Sequence, residues 1–273
     1  MIFIEDLINS SMSENILEIS NLSKYFGGLA AVSDCSMNVK KGTITGIIGP
    51  NGSGKTTLFN LIAGNLKASS GNVKFDKENI TDVPSYELFS KGLLRTFQIA
   101  HEFSNLSVLE NLMMVPGNQS GEKLMTALFK PSLVAREESA VKEKAIEVVD
   151  FLNLGHLSNE LAGNLSGGQK KLLELGRTMM VDAKLVLLDE VGAGVNRTLL
   201  KDLGTAIEKL NKEKGYTFCM IEHDMDFIGR LCDPVIVMAE GSVLFEGTVD
   251  QAKKDEKVIE SYLGRGSKLK EKN

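Results

Sequence analysis

Short apolar runs alternate along much of this chain with stretches in which apolar residues recur at helical intervals. Three of the runs, at 43–48 (TITGII), 185–188 (LVLL) and 216–221 (YTFCMI), consist mainly of aliphatic, aromatic and β-branched residues. Such runs predict strands that are buried on both faces, as in a parallel sheet. Helical spacing follows at 58–64 and 199–210. Strands and helices in this alternation predict an α/β fold.

The amino-terminal part of the chain has a different pattern, which predicts a lobe rich in β-structure. Alternating residues begin at Ile16 (ILEIS), and a second extended run covers 31–39. After the first predicted helix, 72–75 and 80–83 form two further extended pieces before a proline. Residues 40–42 are predicted to form a tight turn that joins 31–39 to the strand at 43–48, so a β-rich lobe precedes that buried strand.

The segment 99–165 changes to a helical period, most clearly at 140–152. Turn-forming residues at 117–131 predict a loop or short helices there. We interpret the segment as a helical subdomain inserted into the α/β fold. A last helix is predicted at 251–263.

The strongest chemical signal is GPNGSGKTT at 49–57, which fits the phosphate-loop pattern GxxxxGK[ST] between a predicted strand and a predicted helix. Glycines let successive amides point at phosphate oxygens, and the helix adds the positive end of its dipole. Lys55 supplies a cation for the β and γ phosphates, and the Thr56 hydroxyl is placed to bind Mg²⁺. The residues assigned to ATP on this pattern are Gly49, Pro50, Asn51, Gly52, Ser53, Gly54, Lys55, Thr56 and Thr57.

A second helix start suited to an anion lies at LSGGQ. Ser166 is expected to cap the amphipathic helix that follows, and the two glycines expose amides at its positive end. An ordinary helix start is the simpler interpretation, but the phosphate loop elsewhere in the chain favours a second anion-binding terminus.

Charged residues close two of the buried strands. Asp189 and Glu190 follow LVLL, where carboxylates need compensation by charge or hydrogen bonds. Asp189 is predicted to hold Mg²⁺, and Glu190 to orient the water that attacks the γ phosphate. His223 follows the strand at 216–221, at the sheet edge where ligands of open α/β folds bind, within predicted reach of the γ phosphate.

The residues alone leave the roles of two further features undecided. Tyr25 and Phe26 meet a glycine turn, where an aromatic ring either packs in the core or stacks on a purine. Gln98 follows a predicted strand, where a lone amide is usually a surface residue or a cap.

Composition excludes several classes of protein. Of 273 residues, 42% are hydrophobic and 25% charged, which is ordinary for a globular protein with a sizeable core. The formal net charge of -5 argues against a general nucleic-acid binder, so no nucleic-acid partner is expected. Cys35, Cys219 and Cys232 lack paired zinc-site spacing, which predicts buried free thiols in a reducing compartment.

The termini predict where the protein resides. Residues 1–15 are interpreted as a tail, within which Met12 is an alternative start, and 265–273 as a basic polar tail. Acidic residues stand where a signal peptide would be basic, and no run approaches the roughly 20 apolar residues of a membrane span. We expect a cytoplasmic protein whose membrane role comes through a partner.

Taken in order, GPNGSGKT, Gln98, LSGGQ, LVLLDE and His223 resemble the ATP-binding cassette proteins, the nucleotide-driven subunits of membrane transporters. More narrowly, KYFGGLAAV, RTFQ, DEVGAGVN, IEHDMDFI and VIESYLG look like the ATP-binding subunits of bacterial branched-chain amino-acid importers. The resemblance covers about 16–264. It implies a fold of the α/β class. The implied core is that of a P-loop NTPase (RecA-like), and it carries an antiparallel β subdomain and a helical subdomain inserted at 99–165.

The resemblance also implies residue roles. Phe26, with Tyr25 as a less favoured neighbour, matches the aromatic that stacks on adenine. Gln98 matches the residue that touches Mg²⁺ and senses the membrane subunit. Glu190 matches the catalytic base, and His223 the histidine that contacts the γ phosphate. The implied metal ligands are Thr56, Gln98 and Asp189, and the implied cofactors are ATP and Mg²⁺.

In the family two cassettes meet head to tail, so a second ATP-binding subunit, identical or different, is an implied partner. The residues implied to close over its ATP are Leu165, Ser166, Gly167, Gly168 and Gln169. Transmembrane permease subunits are further implied partners, with a periplasmic solute-binding protein acting indirectly. The implied location is the inner face of the cell membrane, for amino-acid uptake.

Two residues depart from the family pattern: Val191 stands where proline is usual, and Asn196 where many cassettes have aspartate, although the amino-acid importers also have asparagine there. Both changes bear on communication between subunits. The alternatives that remain are a cassette for urea or amide uptake, one for lipopolysaccharide export, and a soluble cassette without a channel. One phosphate loop and a pI near 5.4 disfavour the last alternative.

Overall fold

The computed structural model describes residues 14–96, 102–117 and 119–267, with only the backbone of 264–267, and two compact units divide the chain. One unit contains the residues up to 95, 184–190 and those from 208 onward. The second contains 96–183 and 191–207.

All ten strands of the described residues belong to the first unit. They are β1 Asn15–Phe26, β2 Leu29–Lys40, β3 Ile44–Ile48, β4 Ser70–Phe75, β5 Glu78–Asn79, β6 Leu93–Arg95, β7 Leu185–Asp189, β8 Thr217–Ile221, β9 Val235–Ala239 and β10 Ser242–Gly247. Its helices are Lys55–Ile62, Ser85–Lys91, Met225–Leu231, Val249–Ala252 and Glu256–Ser267.

A six-stranded sheet in the order β10-β9-β3-β8-β7-β6 carries the predicted parallel strands. β3 pairs in parallel with β8 and β9, β7 pairs in parallel with β6 and β8, and only β10 runs antiparallel. Every residue of β3, β7 and β8 is buried, as their continuous apolar runs predict. The carboxyl ends of these three neighbouring strands therefore meet at one edge of the sheet.

The second sheet is antiparallel, in the order β2-β1-β4-β5. β2 and β3 follow one another along the chain with a short turn between them, yet they belong to different sheets. Side chains from both sheets and from the helix Lys55–Ile62 share one apolar core, in which Leu17, Ile47, Phe59 and Phe75 are almost fully buried. The α/β class with an antiparallel β subdomain is confirmed.

The second unit is helical in its described residues. It contains helices Val108–Met113, Leu124–Phe129, Pro131–Phe151 and Gly167–Met179, and 3₁₀ turns at Ser120–Glu122, Gly155–Leu157 and Ala162–Asn164. Ala145, Val148 and Val149 provide the buried stripe of the longest helix at helical spacing. The helix Arg197–Lys214 belongs to this unit up to residue 207 and to the first unit from residue 208.

Two sequence predictions differ from the structure. Residues 80–83 form a turn and not a strand, because the Asn79 side chain accepts hydrogen bonds from the backbone and hydroxyl of Thr81. The helix predicted at 251–263 is broken after Ala252. There Asp255 caps a new helix by accepting from the backbone amide of Val258 at 3.0 Å.

The three cysteines are buried free thiols, as predicted. Burial raises the pKa of Cys35 to about 11 and that of Cys232 to about 12, and it raises the pKa of Cys219 as well. In the described ranges, no helix combines the length and apolarity that crossing a membrane requires.

Candidate functional site

The segment 49–54, here called the phosphate loop, leaves the carboxyl end of β3 in a conformation that requires glycine. Gly49 has φ 149° and Gly54 has φ 99°, both in the region that favours glycine. A Cβ atom at Gly49 would lie 2.1 Å from the backbone oxygen of Met238. The turn closes where the Ser53 amide donates to Pro50 O at 3.1 Å. The backbone is therefore fixed by tight packing as well as by turn geometry.

Lys55 is the first residue of the helix that follows the loop, and it is only 5% exposed. Its ammonium donates to Gly49 O at 2.8 Å and to Pro50 O at 3.1 Å, inside the curve of the phosphate loop. A buried cation needs such partners. A phosphate group at this loop would have to compete with these carbonyls for the Lys55 ammonium. The structure thus places the lysine within the predicted binding loop.

Asp189 and His223 lie at the same edge of the sheet as the phosphate loop. Asp189 ends β7 and pairs with Ile221, and His223 lies two residues beyond Ile221. β8 in turn lies directly beside β3, which leads into the loop. Asp189 is 4% exposed, so its carboxylate is almost removed from water. The sheet therefore brings together the loop, the carboxylate and the histidine.

Glu190 and His223 contact each other directly. The Glu190 Oε1 and His223 Nε2 atoms are 2.8 Å apart. Glu190 has φ 50°, an unusual conformation for a residue other than glycine, while its amide still donates to Ile221 O at 2.9 Å. Strained backbone of this kind often occurs at functional sites. The turn directs the carboxylate away from the strand and onto the histidine.

Sequence reasoning missed Arg95, which ends β6 beside β7. Its Nη2 atom donates to Asp189 Oδ2 at 2.6 Å, and its Nη1 atom donates to Asn60 Oδ1 at 2.5 Å. The arginine side chain is 11% exposed and the aspartate side chain 5%. The available signal was a charged residue at the end of an apolar run, GLLR, but no sequence spacing connects it with Asp189.

Tyr262, on the helix Glu256–Ser267, is a second residue that the sequence did not reveal as part of this region. Burial raises the pKa of its hydroxyl, and a hydrogen bond with the backbone of Gly49 opposes that rise. The last helix therefore contacts the first residue of the phosphate loop.

The predicted signature residues belong to the second unit. Ser166 caps the helix Gly167–Met179 in a capping box: its amide donates to Gln169 Oε1 at 2.9 Å, and the Gln169 amide donates to Ser166 Oγ at 3.4 Å. Leu165 is buried, Gly167 is exposed, and Gly168 packs closely on Leu199. The exposed turn of Ser166 and Gly167 presents the helix start outward.

The aromatic pair that is a candidate for stacking on a purine, Tyr25 and Phe26, is partly exposed. Tyr25 and Phe26 end β1, and each is 48% exposed, so neither ring is a core residue. Lys24 Nζ lies 5.2 Å from the centroid of the Phe26 ring. Gln98 lies outside the described residues.

The described residues suit Mg²⁺ better than a metal held entirely by protein. Nowhere in the described ranges do three His, Cys, Asp or Glu side chains cluster as metal ligands. Thr56, exposed on the first helical turn, and Asp189 offer hard oxygen donors. Mg²⁺ usually keeps several waters and binds through one or two protein oxygens plus substrate phosphates. This small donor set beside a phosphate loop fits that requirement.

Comparison with known proteins points to one family. The sequence profile described as ABC transporter matches residues 32–193. The probable branched-chain amino acid transport ATP-binding protein LivG of Archaeoglobus fulgidus is 43% identical, over 91% of this chain and 95% of its own. BraF of Pseudomonas aeruginosa, a high-affinity branched-chain amino acid transport ATP-binding protein, is 36% identical over 93% of this chain and 99% of its own.

Solved structures agree with these sequence matches. An ATP-binding cassette of an ABC transporter in its ADP conformation is 40% identical, with a TM-score of 0.78, over 92% of this chain and 100% of its own. The cbiO1 protein of Clostridium perfringens, part of the ABC transporter complex cbiONQ, is 28% identical, with a TM-score of 0.76. The match covers 94% of this chain and 99% of cbiO1. The fold and the sequence therefore lead to the same family.

The packing of Gly49 yields a test of the phosphate loop. Gly49→Ala forces the Met238 carbonyl to move and is expected to weaken ATP binding at least about tenfold, measured by calorimetric titration. Gly42→Ala is the matched control, because Gly42 also has a positive φ, of 76°, but a Cβ there meets nothing within 4 Å. Equal affinities for the two variants would contradict the assignment of the loop.

Proposed function

Because this chain belongs to the ABC transporter family as an ATP-binding cassette and ATPase, we propose that its hydrolysis of ATP drives the uptake of branched-chain or other amino acids. Support comes from the curated relatives, which match over at least 91% of this chain at 32–43% identity and are named for branched-chain amino acid transport. The observation that carries the catalytic part of the proposal is the 2.8 Å contact between Glu190 and His223.

The proposed catalysis follows from the positions of the side chains. Lys55 and the loop amides hold the β and γ phosphates, and Thr56 and Asp189 hold Mg²⁺. When bound, Mg²⁺ would supply positive charge that offsets the charge developing on the phosphates. Glu190 orients and polarises the attacking water. His223, held against Glu190, positions that carboxylate and contacts the γ phosphate. Catalysis is then mainly positioning and charge stabilisation.

The remaining assignments complete the nucleotide site. Phe26 stacks on the adenine, which agrees with its half-exposed ring at the end of β1. Tyr25, equally exposed, is the less favoured alternative. Gln98 touches Mg²⁺ and transmits the state of the nucleotide to the membrane subunit.

We further propose that the site is completed by a second ATP-binding subunit. The outward start of the helix Gly167–Met179, with Ser166 and Gly167 exposed, suits a γ phosphate that is bound to another chain. In return, the partner's signature residues close over the ATP that this chain holds. Closure is passed to transmembrane permease subunits on the inner face of the cell membrane, and a periplasmic solute-binding protein delivers the amino acid.

Removal of the catalytic base gives the most direct test of the ATPase assignment. Glu190→Gln is expected to lower the rate of ATP hydrolysis at least about 100-fold, because the amide cannot accept the proton of the attacking water. ATP affinity is expected to stay near that of the unmutated protein. Phosphate release and calorimetric titration measure the two quantities.

Glu240→Gln is the matched control for this test. Glu240 also has φ 50° and also follows a buried strand, β9, but it is not in the proposed site. Hydrolysis by Glu190→Gln at the rate of the unmutated protein would show that the assigned base is wrong.

Uptake by cells tests the transported class. Deletion of the gene should abolish uptake of radiolabelled leucine, isoleucine or valine at low external concentration. The unmutated gene should restore uptake, whereas the gene carrying Glu190→Gln should not. Unchanged amino-acid uptake together with lost uptake of urea or an amide would contradict the proposed substrate.

A further inference from the structure

Arg95 is a largely buried cation, with a side chain 11% exposed, that connects two elements of the proposed metal site. It lies on β6, which pairs with β7 so that Arg95 is opposite Leu187, two residues before Asp189. Its two terminal nitrogens go to different partners, Nη2 to Asp189 Oδ2 and Nη1 to Asn60 Oδ1. Asn60 belongs to the helix Lys55–Ile62, which also carries Thr56. The arginine thus ties the threonine helix to the aspartate strand.

We propose that Arg95 is a positioning residue that sets the separation between Thr56 and Asp189 so that the two oxygens hold one Mg²⁺ ion. This inference rests on the proposed function, which makes these residues the metal ligands. A guanidinium group is planar and rigid, so a fork with one partner on each element fixes their distance better than a flexible ammonium does.

The geometry leaves the carboxylate able to meet a metal. Arg95 bonds to Oδ2, and no second hydrogen bond to the Asp189 carboxylate occurs within the described residues. Oδ1 therefore remains for the ion or for one of its waters. The charge of Arg95 also offsets part of the cost of burying the aspartate, whose side chain is 5% exposed.

The guanidinium is held firmly enough to act as a spacer. It lies over the Phe59 ring, with Cζ 6.0 Å from the ring centroid, and Phe59 lies on the same helix as Asn60. The third nitrogen, Nε, is buried and has no hydrogen-bond partner among the residues that the structure describes. An unsatisfied donor opposes stability, and buried ion pairs are often replaceable by apolar side chains without loss. Stability alone therefore explains this arginine poorly.

The experiment compares the affinity for a non-hydrolysable ATP analogue with Mg²⁺ and with EDTA, by calorimetric titration. For Arg95→Met we expect the gain in affinity from Mg²⁺ to shrink at least fivefold, while the affinity in EDTA changes less than twofold. Arg95→Lys keeps the charge but loses the forked pair of donors. Its gain in affinity from Mg²⁺ should therefore lie between the gain of Arg95→Met and that of the unmutated protein. Asn60→Ala removes one of the two hydrogen-bond acceptors of Arg95, so the gain in affinity from Mg²⁺ should shrink here as well.

Arg230→Met is the matched control, because Arg230 also lies over a phenylalanine ring, with its Cζ atom 6.0 Å from the centroid of Phe227. It should leave both affinities unchanged. An Arg95→Met variant that keeps the full Mg²⁺ gain, or that loses affinity equally with Mg²⁺ and with EDTA, would overturn the inference. If Arg95→Met does not fold, the result for Asn60→Ala decides in the same way.

The unmutated protein separates this inference from the proposed function. If Mg²⁺ does not improve its affinity for the analogue, the proposed metal site itself fails and the role of Arg95 fails with it. If the unmutated protein shows the gain and the variants retain it, only the role of Arg95 is wrong.

Discussion

Parallel pairing of β3, β8 and β7 is the constraint on which the site depends. Adjacent parallel strands end at the same edge, so the residues that follow them meet in space although the chain separates them widely. The phosphate loop follows β3, His223 lies just beyond β8 and Asp189 ends β7. Each strand is wholly buried, which fixes where it ends and hence where its functional residue lies.

Removing charged side chains from water at this edge of the sheet costs free energy, which the structure has to compensate. Lys55, Asp189 and Glu222 are each less than 6% exposed. Lys55 is compensated by backbone carbonyls, and Asp189 by Arg95. Charges in such surroundings interact more strongly than in water, which suits the proposed binding of polyphosphate and a cation. The same polar contacts that make burial tolerable thus prepare the side chains for binding.

Local sequence signals predicted the strands that lead to the site, because their apolar runs are continuous and the phosphate loop has fixed spacing. The separation of β2 and β3 into different sheets and the break at Asp255 show the limit of such signals. Whether β2 and β3 share a sheet depends on partners far along the chain, and a single capping aspartate is enough to divide a periodic segment. Arg95 was missed for the same reason, because its partner Asp189 lies 94 positions later.

We propose that ATP and Mg²⁺ bind between the phosphate loop and Asp189, beneath the signature residues of a second subunit. A crystal structure of the Glu190→Gln variant with ATP and Mg²⁺ would test this arrangement. We expect Lys55 Nζ on the β and γ phosphates, the metal between Thr56 and Asp189, and Ser166 of another chain on the γ phosphate. A nucleotide bound elsewhere, with Lys55 still on the Gly49 and Pro50 carbonyls, would contradict it.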